Sequence, residues 1–307
     1  MPFPKAGFWR WGALGALCLG LNGCFVKDIA VNSVADSLAG QGDTFASDND
    51  PELVREAVPF SLKFMESVLS ATPRHVGLLT ALCKNFTEYG YAYVQSDVEV
   101  VEDEDYPKAR ELKNRAKKIY LRARDYGLRG LEVRRNGFGQ MFKKDPKAAA
   151  ALLTKQDIET FYWTGLSWMA AISLDKNDLE LVADRPKAEA LIYRAYELDP
   201  DYQEGSIHDF LITYEASRPG GSLKKAKEHF QRALELNHGS NASTYVNYAV
   251  NVDEAERNRE EFEEMLNKAL TIDVDKKPSG RLENLIMQKR AKWLLSHMDK
   301  MDVIFSK

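Results

Sequence analysis

Side chains able to do chemistry are few and scattered in this sequence. The five histidines, His75, His208, His229, His238 and His297, lie far apart. No cysteine–histidine spacing suits a tetrahedral zinc site. The run Glu102-Asp103-Glu104-Asp105 gathers carboxylates but lacks the glycine and the ligand spacing of a calcium loop. It precedes the basic stretch from Arg110 to Arg124, so it reads as a solvated helix start, where acidic groups meet the positive end of the dipole. Gly137-Phe138-Gly139 could open a phosphate-cradling loop, but Phe142 stands where the third glycine is needed and no strand precedes it. Gly165-Leu166-Ser167-Trp168-Met169 could present a nucleophilic serine, but it misses the pattern and lies inside a helical run. There is no His-Glu-x-x-His and no P-loop. No catalytic residue, metal site or cofactor is expected, and the chain is read as a non-enzyme.

One cysteine does sit in a chemical context. Lys5 and Arg10 precede an apolar run from Trp11 to Leu21, which ends at Leu21-Asn22-Gly23-Cys24. That run is about half the roughly 20 residues needed to cross a bilayer. Basic head, short apolar middle and small residues make a secretory signal. Leu21 to Cys24 resembles a bacterial lipobox, with Asn22 in place of the usual small or branched residue. Residues 1–23 are therefore expected to be a lipoprotein signal peptide, with Cys24 lipidated after cleavage. Acylation contributes about 0.8 kcal/mol per buried CH₂, so several chains on one residue hold a body firmly at a membrane. Phe25, rather than Asp, follows the cysteine, which points to the outer membrane.

The formal charge of −4 falls to −6 without Lys5 and Arg10. A nucleic-acid partner would leave a basic footprint instead. Of three cysteines, only Cys83 remains unassigned, so the mature chain has no intrachain disulfide; in LLTALCKNF it reads as a small buried hydrophobe.

The elements follow from caps and periodicity. Residues 24–49 read as a lipidated tether with one short helix in the apolar patch from Ile29 to Leu38. Residues 50–307 read as one helical domain. Asp50-Pro51 starts a helix, which Pro59 should kink or restart. Thr154 to Asp157 is a capping box, and Ser222 can cap the helix after Arg218-Pro219-Gly220-Gly221. No strand pattern is found. Four stretches align: 115–128, 187–200, 225–238 and 261–274. Each carries apolar or small residues at the same four places, namely Ala116, Tyr120, Ala123, Tyr126; Ala188, Ile192, Ala195, Leu198; Ala226, Phe230, Ala233, Leu236; and Phe262, Leu266, Ala269, Ile272. Steps of four, three and three keep one helix face apolar. Their starts lie 72, 38 and 36 residues apart. The pattern resembles the second helix of the tetratricopeptide repeat. An all-α superhelical array of divergent helical hairpins is expected, with stacked neighbours enclosing a concave surface.

Residues 158–174, IETFYWTGLSWMAAISL, are apolar on every side, so this helix needs at least two partners. It reads as a central core helix. An alternative is that one aromatic edge lines a cavity, with Gly165 letting something approach. The segment from Phe86 to Tyr93 carries aromatics on two faces.

The segments 45–69, 86–94, 161–174, 198–236 and 281–295, in this order and spacing, resemble the TatT family, the T component associated with tripartite ATP-independent periplasmic (TRAP) transporters. The resemblance implies a periplasm-facing lipoprotein, a homotrimer, and an apolar pore in each protomer for a hydrophobic or amphipathic small molecule. It also implies a TRAP-type solute-binding protein as docking partner. Aromatic content within the matching segments nominates Phe86, Tyr89, Tyr93, Tyr162, Trp163, Trp168 and His208 as pore residues. The competing expectation is a helical-repeat lipoprotein scaffold for an envelope assembly, either outer-membrane protein insertion or cell-wall synthesis.

Overall fold

A computed structural model describes residues 30–40 and 42–306; the signal segment and Cys24 lie outside the described residues. Every regular element among the described residues is helical. In chain order they are α1 (30–39), α2 (Gly42–Ala46), α3 (Pro51–Ala71), α4 (Val76–Tyr89), a π-helical segment (Gly90–Gln95), α5 (Ser96–Val101), α6 (Tyr106–Arg134), α7 (Phe138–Lys144), α8 (Pro146–Ala151) and α9 (Ile158–Leu174). There follow α10 (Leu179–Ala183), α11 (Arg185–Leu198), α12 (Tyr202–Ser217), α13 (Leu223–Asn237), α14 (Ala242–Tyr248), a second π segment (Ala249–Asp253), α15 (Glu254–Glu256), α16 (Arg259–Leu270), α17 (Arg281–Ser296) and α18 (Met298–Phe305).

Local signals position the helix starts. The Asp50 side chain accepts from the amides of Glu52 and Leu53. Asp105 accepts from Lys108, Thr154 and Asp157 form the capping box, and Ser222 accepts from Lys225. Pro59 neither ends nor restarts its helix: α3 runs through it, giving up one backbone bond on a half-exposed surface. The 24–49 stretch holds two helices rather than one: α2, and α1 over the expected apolar patch. Its Ala35 and Leu38 are buried, and it is pinned by Asn32 to Thr72 and by Asp36 to His75.

The four self-similar stretches lie in α6, α11, α13 and α16. Their first three positions are buried in every copy. The neighbours differ, however: α6 packs on α4 and α9, α11 on α9, α13 on α12, and α16 on α14 and α17. Helix α9 lies between α4, α6 and α11, which explains its all-round apolarity. Close approach there needs glycine. A Cβ on Gly127 would stand 1.9 Å from Thr164 Oγ1, and one on Gly165 would stand 2.7 Å from Ile192 Cγ1. What Gly165 admits is therefore helix α11.

The chain closes on itself. Helix α17 returns to α2 and α3. Arg281 donates to the carbonyl of Ser47 at 2.8 Å, and Lys289 pairs with Glu52 at 2.6 Å. Arg290 grips Glu99 with two bonds of 2.8 and 2.7 Å. Lys300 lies 3.9 Å from Asp103.

Candidate functional site

Two side chains are accessible to water although protein surrounds them. Glu88, on α4, is 48% exposed, yet burial pushes its carboxyl up to about 7, aided by the charges of Glu283 and Glu159 and opposed by Lys84. Tyr91, in the first π segment, is 38% exposed, yet burial raises its hydroxyl pKa. A group on an open surface would keep its ordinary value; accessibility combined with desolvation places both groups in a recess between helices, the candidate lumen.

Four helices and both π segments supply its walls. From α4 come Lys84 and Glu88, whose charged ends lie 4.0 Å apart. From α9 come Glu159 and Trp163. The Lys84 ammonium lies 5.7 Å from the Trp163 ring centroid. Tyr162 packs edge-on against Trp163 and against Tyr202, and its hydroxyl donates to the carbonyl of Ser206 at 3.1 Å. From α12 comes Asp209, which is 7% exposed. Asn241 reaches its Oδ2 at 3.4 Å, while Oδ1 has no hydrogen-bond partner among the described residues. Burial first, then Glu283, pushes the Asp209 carboxyl up to about 7, against the pull of Thr244 and Ser243. From α17 come Glu283 and Arg290. Burial works against the Arg290 charge, but Tyr91, Glu99 and Glu254 more than offset it. Glu254 itself is raised to about 7 by burial. Both π segments thus bring groups to Arg290: Tyr91 lies within the first, and Glu254 directly follows the second. Such local widening of a helix re-aims side chains and is frequent at functional sites.

Residues Gln203 and Glu204, ahead of Asp209, adopt left-handed backbone angles with φ of 44° and 54°. Each costs on the order of 1 kcal/mol for a non-glycine residue. This turn sets Tyr202 against Tyr162. A cleft of about 230 Å³ between α1, α4, α6 and α9 is lined by Lys84, Arg134 and Glu159.

The seven aromatic and histidine residues expected at a pore are not gathered in one place. Tyr162 and Trp163 stand together beside Lys84. Phe86 faces α6, stacked on Tyr126 with Arg122 over its ring. Tyr89 and Tyr93 form a tilted pair; Arg115 donates to the Tyr89 hydroxyl, and Arg55 lies over Tyr93. Trp168 packs on Phe142 beneath Arg124 and Lys187. His208 points to α13, where its Nδ1 meets His229 Nδ1 at 2.9 Å under Tyr196. Cys83 is fully buried, and desolvation pushes its thiol up to about 12, so it is inert. The accessible carboxylates Glu88, Glu159 and Glu283 were not singled out from sequence. Glu88 and Glu159 had one signal, position within segments otherwise rich in aromatics; Glu283 had none.

No group of three or more His, Cys, Asp or Glu side chains among the described residues is placed to hold a metal ion. No helix among them is long and apolar enough to cross a membrane.

The described residues form an all-α body whose helix α17 closes back on α2 and α3. Comparison with known proteins gives the family. Residues 47–301 match the family described as TRAP transporter T-component, and the chain belongs to it. It is also 31% identical, over 304 residues, to an uncharacterized protein of Treponema pallidum (strain Nichols), an alignment covering 92% of this chain and 94% of that one. The family is one of transporter components, not of enzymes, and places the chain with the cell envelope.

Proposed function

We propose that this chain is the lipid-anchored, ligand-handling component of a TRAP-type transporter. It takes a small amphipathic molecule into the lumen and docks a periplasmic solute-binding protein so that the two cavities meet. The observation that carries this reading is the coexistence, at Glu88 and Tyr91, of water access and desolvation inside a transporter-component fold. Tyr162, Trp163 and Tyr202 supply the apolar wall, and Glu88, Tyr91 and Arg290 the polar one. Of the remaining nominated residues, Phe86, Tyr89, Tyr93, Trp168 and His208 hold the helices that carry these walls. Lipidation at Cys24 holds the body close to its membrane. Three copies assemble, by analogy with the family, at the outer membrane.

The test is crosslinking in native envelopes, followed by isolation and mass spectrometry of proteins and small molecules. A TRAP-type solute-binding protein and a co-purifying amphipathic compound are expected. Recovery of outer-membrane assembly or cell-wall proteins with no bound compound would replace this reading with the scaffold.

A further inference from the structure

The solvent side of α3 is not polar. Its inward face is filled by Val54, Val58, Leu62, Met65 and Leu69. Yet Leu53, Phe60 and Phe64, spaced seven and four residues apart, line the opposite face, and all three are exposed. The two phenyl rings lie nearly parallel, with centroids 6.3 Å apart. Single exposed apolar residues are ordinary, but a row of three with paired rings marks a contact surface.

Beside this row the charge is positive. Helix α6 holds ten Lys and Arg against three Asp and Glu, in a chain whose formal charge is −4. Lys118, Arg122 and Arg129 share one stripe of α6 and, with Leu121, Asp125 and Tyr126, line an open groove of about 460 Å³. Glu66 of α3 joins the two helices: Lys63, Arg122 and Tyr126 reach its carboxylate at 2.5, 2.8 and 2.6 Å. The basic stripe therefore flanks the phenyl row. Of the acids here, Glu66 is matched by those three groups and Asp125 by Arg124. Glu56, one turn before Phe60, has no ion pair among the described residues.

The end of the chain that carries Cys24 meets the same corner. Helix α1, the first described element after Cys24, is held at the end of α3, where the Thr72 hydroxyl donates to Asn32 at 2.9 Å. One residue further on, Arg129 of α6 donates to the Pro73 carbonyl at 3.3 Å. Helix α1, the phenyl row and the basic stripe thus adjoin one another. We propose that this face lies on the surface of a bilayer containing anionic lipid, with Phe60 and Phe64 entering the headgroup region and Lys63, Lys118, Arg122 and Arg129 over the phosphates. Apolar rings flanked by cations match such a surface in both hydrophobicity and charge. The proposal rests on lipid anchoring at Cys24, part of the reading above, and adds to it a fixed orientation of the body.

The experiment reconstitutes the lipidated full chain, purified from bacterial envelopes, into vesicles of phosphatidylcholine alone or mixed with phosphatidylglycerol. A bimane label is placed at Ser67→Cys, exposed three residues after Phe64, or at Leu179→Cys on α10 as a distant exposed control; Cys83 is buried and stays unlabelled. Lipids brominated on their acyl chains serve as quenchers. The label at position 67 is expected to be quenched, more so with phosphatidylglycerol, and the label at position 179 to be unaffected. Lys118→Gln should lower the ratio of quenched to unquenched protein about fivefold in the mixed vesicles, as expected for one cation lost at an anionic surface, and leave the phosphatidylcholine value unchanged. Phe60→Ser with Phe64→Ser should reduce quenching in both. Vesicle-bound protein with equal quenching at positions 67 and 179, or none at either, would overturn the orientation and leave the anchor standing. A label at position 67 that is shielded from aqueous iodide but not quenched by lipid, with disulfide crosslinks between unlabelled Ser67→Cys copies, would overturn it in favour of a second copy of the chain. If the protein does not float with the vesicles at all, lipid anchoring fails as well.

Discussion

Replacing Arg290 by Ala tests whether the array is closed by a specific contact. Arg290 makes two bonds of 2.8 and 2.7 Å to Glu99, 191 residues earlier. The two side chains keep 20% and 31% exposure. Breaking a fully buried pair costs about 3–5 kcal/mol, because the abandoned charge stays desolvated. A surface pair is worth about 0–1 kcal/mol. The residual exposure places Arg290→Ala between these, at about 2–3 kcal/mol. Lys289 provides the control. It is adjacent, and its partner Glu52 is even more distant in sequence, but the pair is 70% and 60% exposed. Lys289→Ala should cost no more than about 0.5 kcal/mol. Arg290→Lys should recover only part of the loss, since an ammonium cannot reproduce the two-bond grip. Equilibrium urea unfolding measures the costs. Hydrogen exchange should show faster opening of α17 and of α5, the two sides of this contact, in the Arg290→Ala protein. Equal costs for Arg290→Ala and Lys289→Ala, with unchanged exchange in α17, would refute closure through this contact.

Further expectations follow from the packing. Gly165→Ala should cost about 1–3 kcal/mol by pressing a methyl group into Ile192. Combined with Ile192→Ala, the loss should be at least about 1 kcal/mol less than additive; strict additivity would mean that α11 does not constrain this position. Trp168→Ala should cost about 3–5 kcal/mol of stability and leave binding of a neutral apolar fluorescent probe unchanged, whereas Trp163→Ala should weaken the probe. The reverse pattern would move the lumen to the other side of α9. Asp253 is fully buried among the acids Glu261 and Glu256, and burial pushes its carboxyl up to about 8. Its neutral form is the stable one, so its contribution is complete below about pH 4, the unfolded value, and is lost as pH rises through about 8. The urea midpoint should therefore fall between about pH 5 and pH 9 more steeply in the wild type than in Asp253→Asn. Parallel pH profiles would contradict this.

Much of the fold was legible because its signals are local. The caps at Asp50, Thr154 and Ser222 lie within three residues of the amides they satisfy. Helix α9 announced its burial by having no polar face. Closure was not legible, because Arg290 and Glu99 are ordinary surface residue types until the fold brings them together. The lumen acids were hidden for the same reason: a glutamate on an amphipathic helix reads as solvated, and Glu88 and Glu283 are solvated, but inside. Residue type could not sort the aromatics either. Trp163 and Trp168 are five positions apart, which turns them roughly 140° from each other on a helix. One meets Lys84 and the other Phe142. His208 and Asp209 are neighbours turned about 100° apart; the histidine meets His229 on α13 and the acid meets Asn241 ahead of α14. Gly165 was ambiguous between a ligand and a helix as its close neighbour, and the neighbour is α11.

The most direct test of the account is thiol labelling at position 88. Glu88→Cys would be compared with Phe60→Cys on α3, where Phe60 is 76% exposed, and with wild type, in which Cys83 is buried and inert. A small methanethiosulfonate reagent and a polymer-bearing maleimide would be applied to each folded protein. An enclosed, water-filled lumen predicts that the Glu88→Cys protein reacts with the small reagent and excludes the polymer, while the Phe60→Cys protein takes both. If the Glu88→Cys protein refuses both reagents, there is no lumen; if it takes both as readily as the Phe60→Cys protein, position 88 lies on an open surface and the account is wrong.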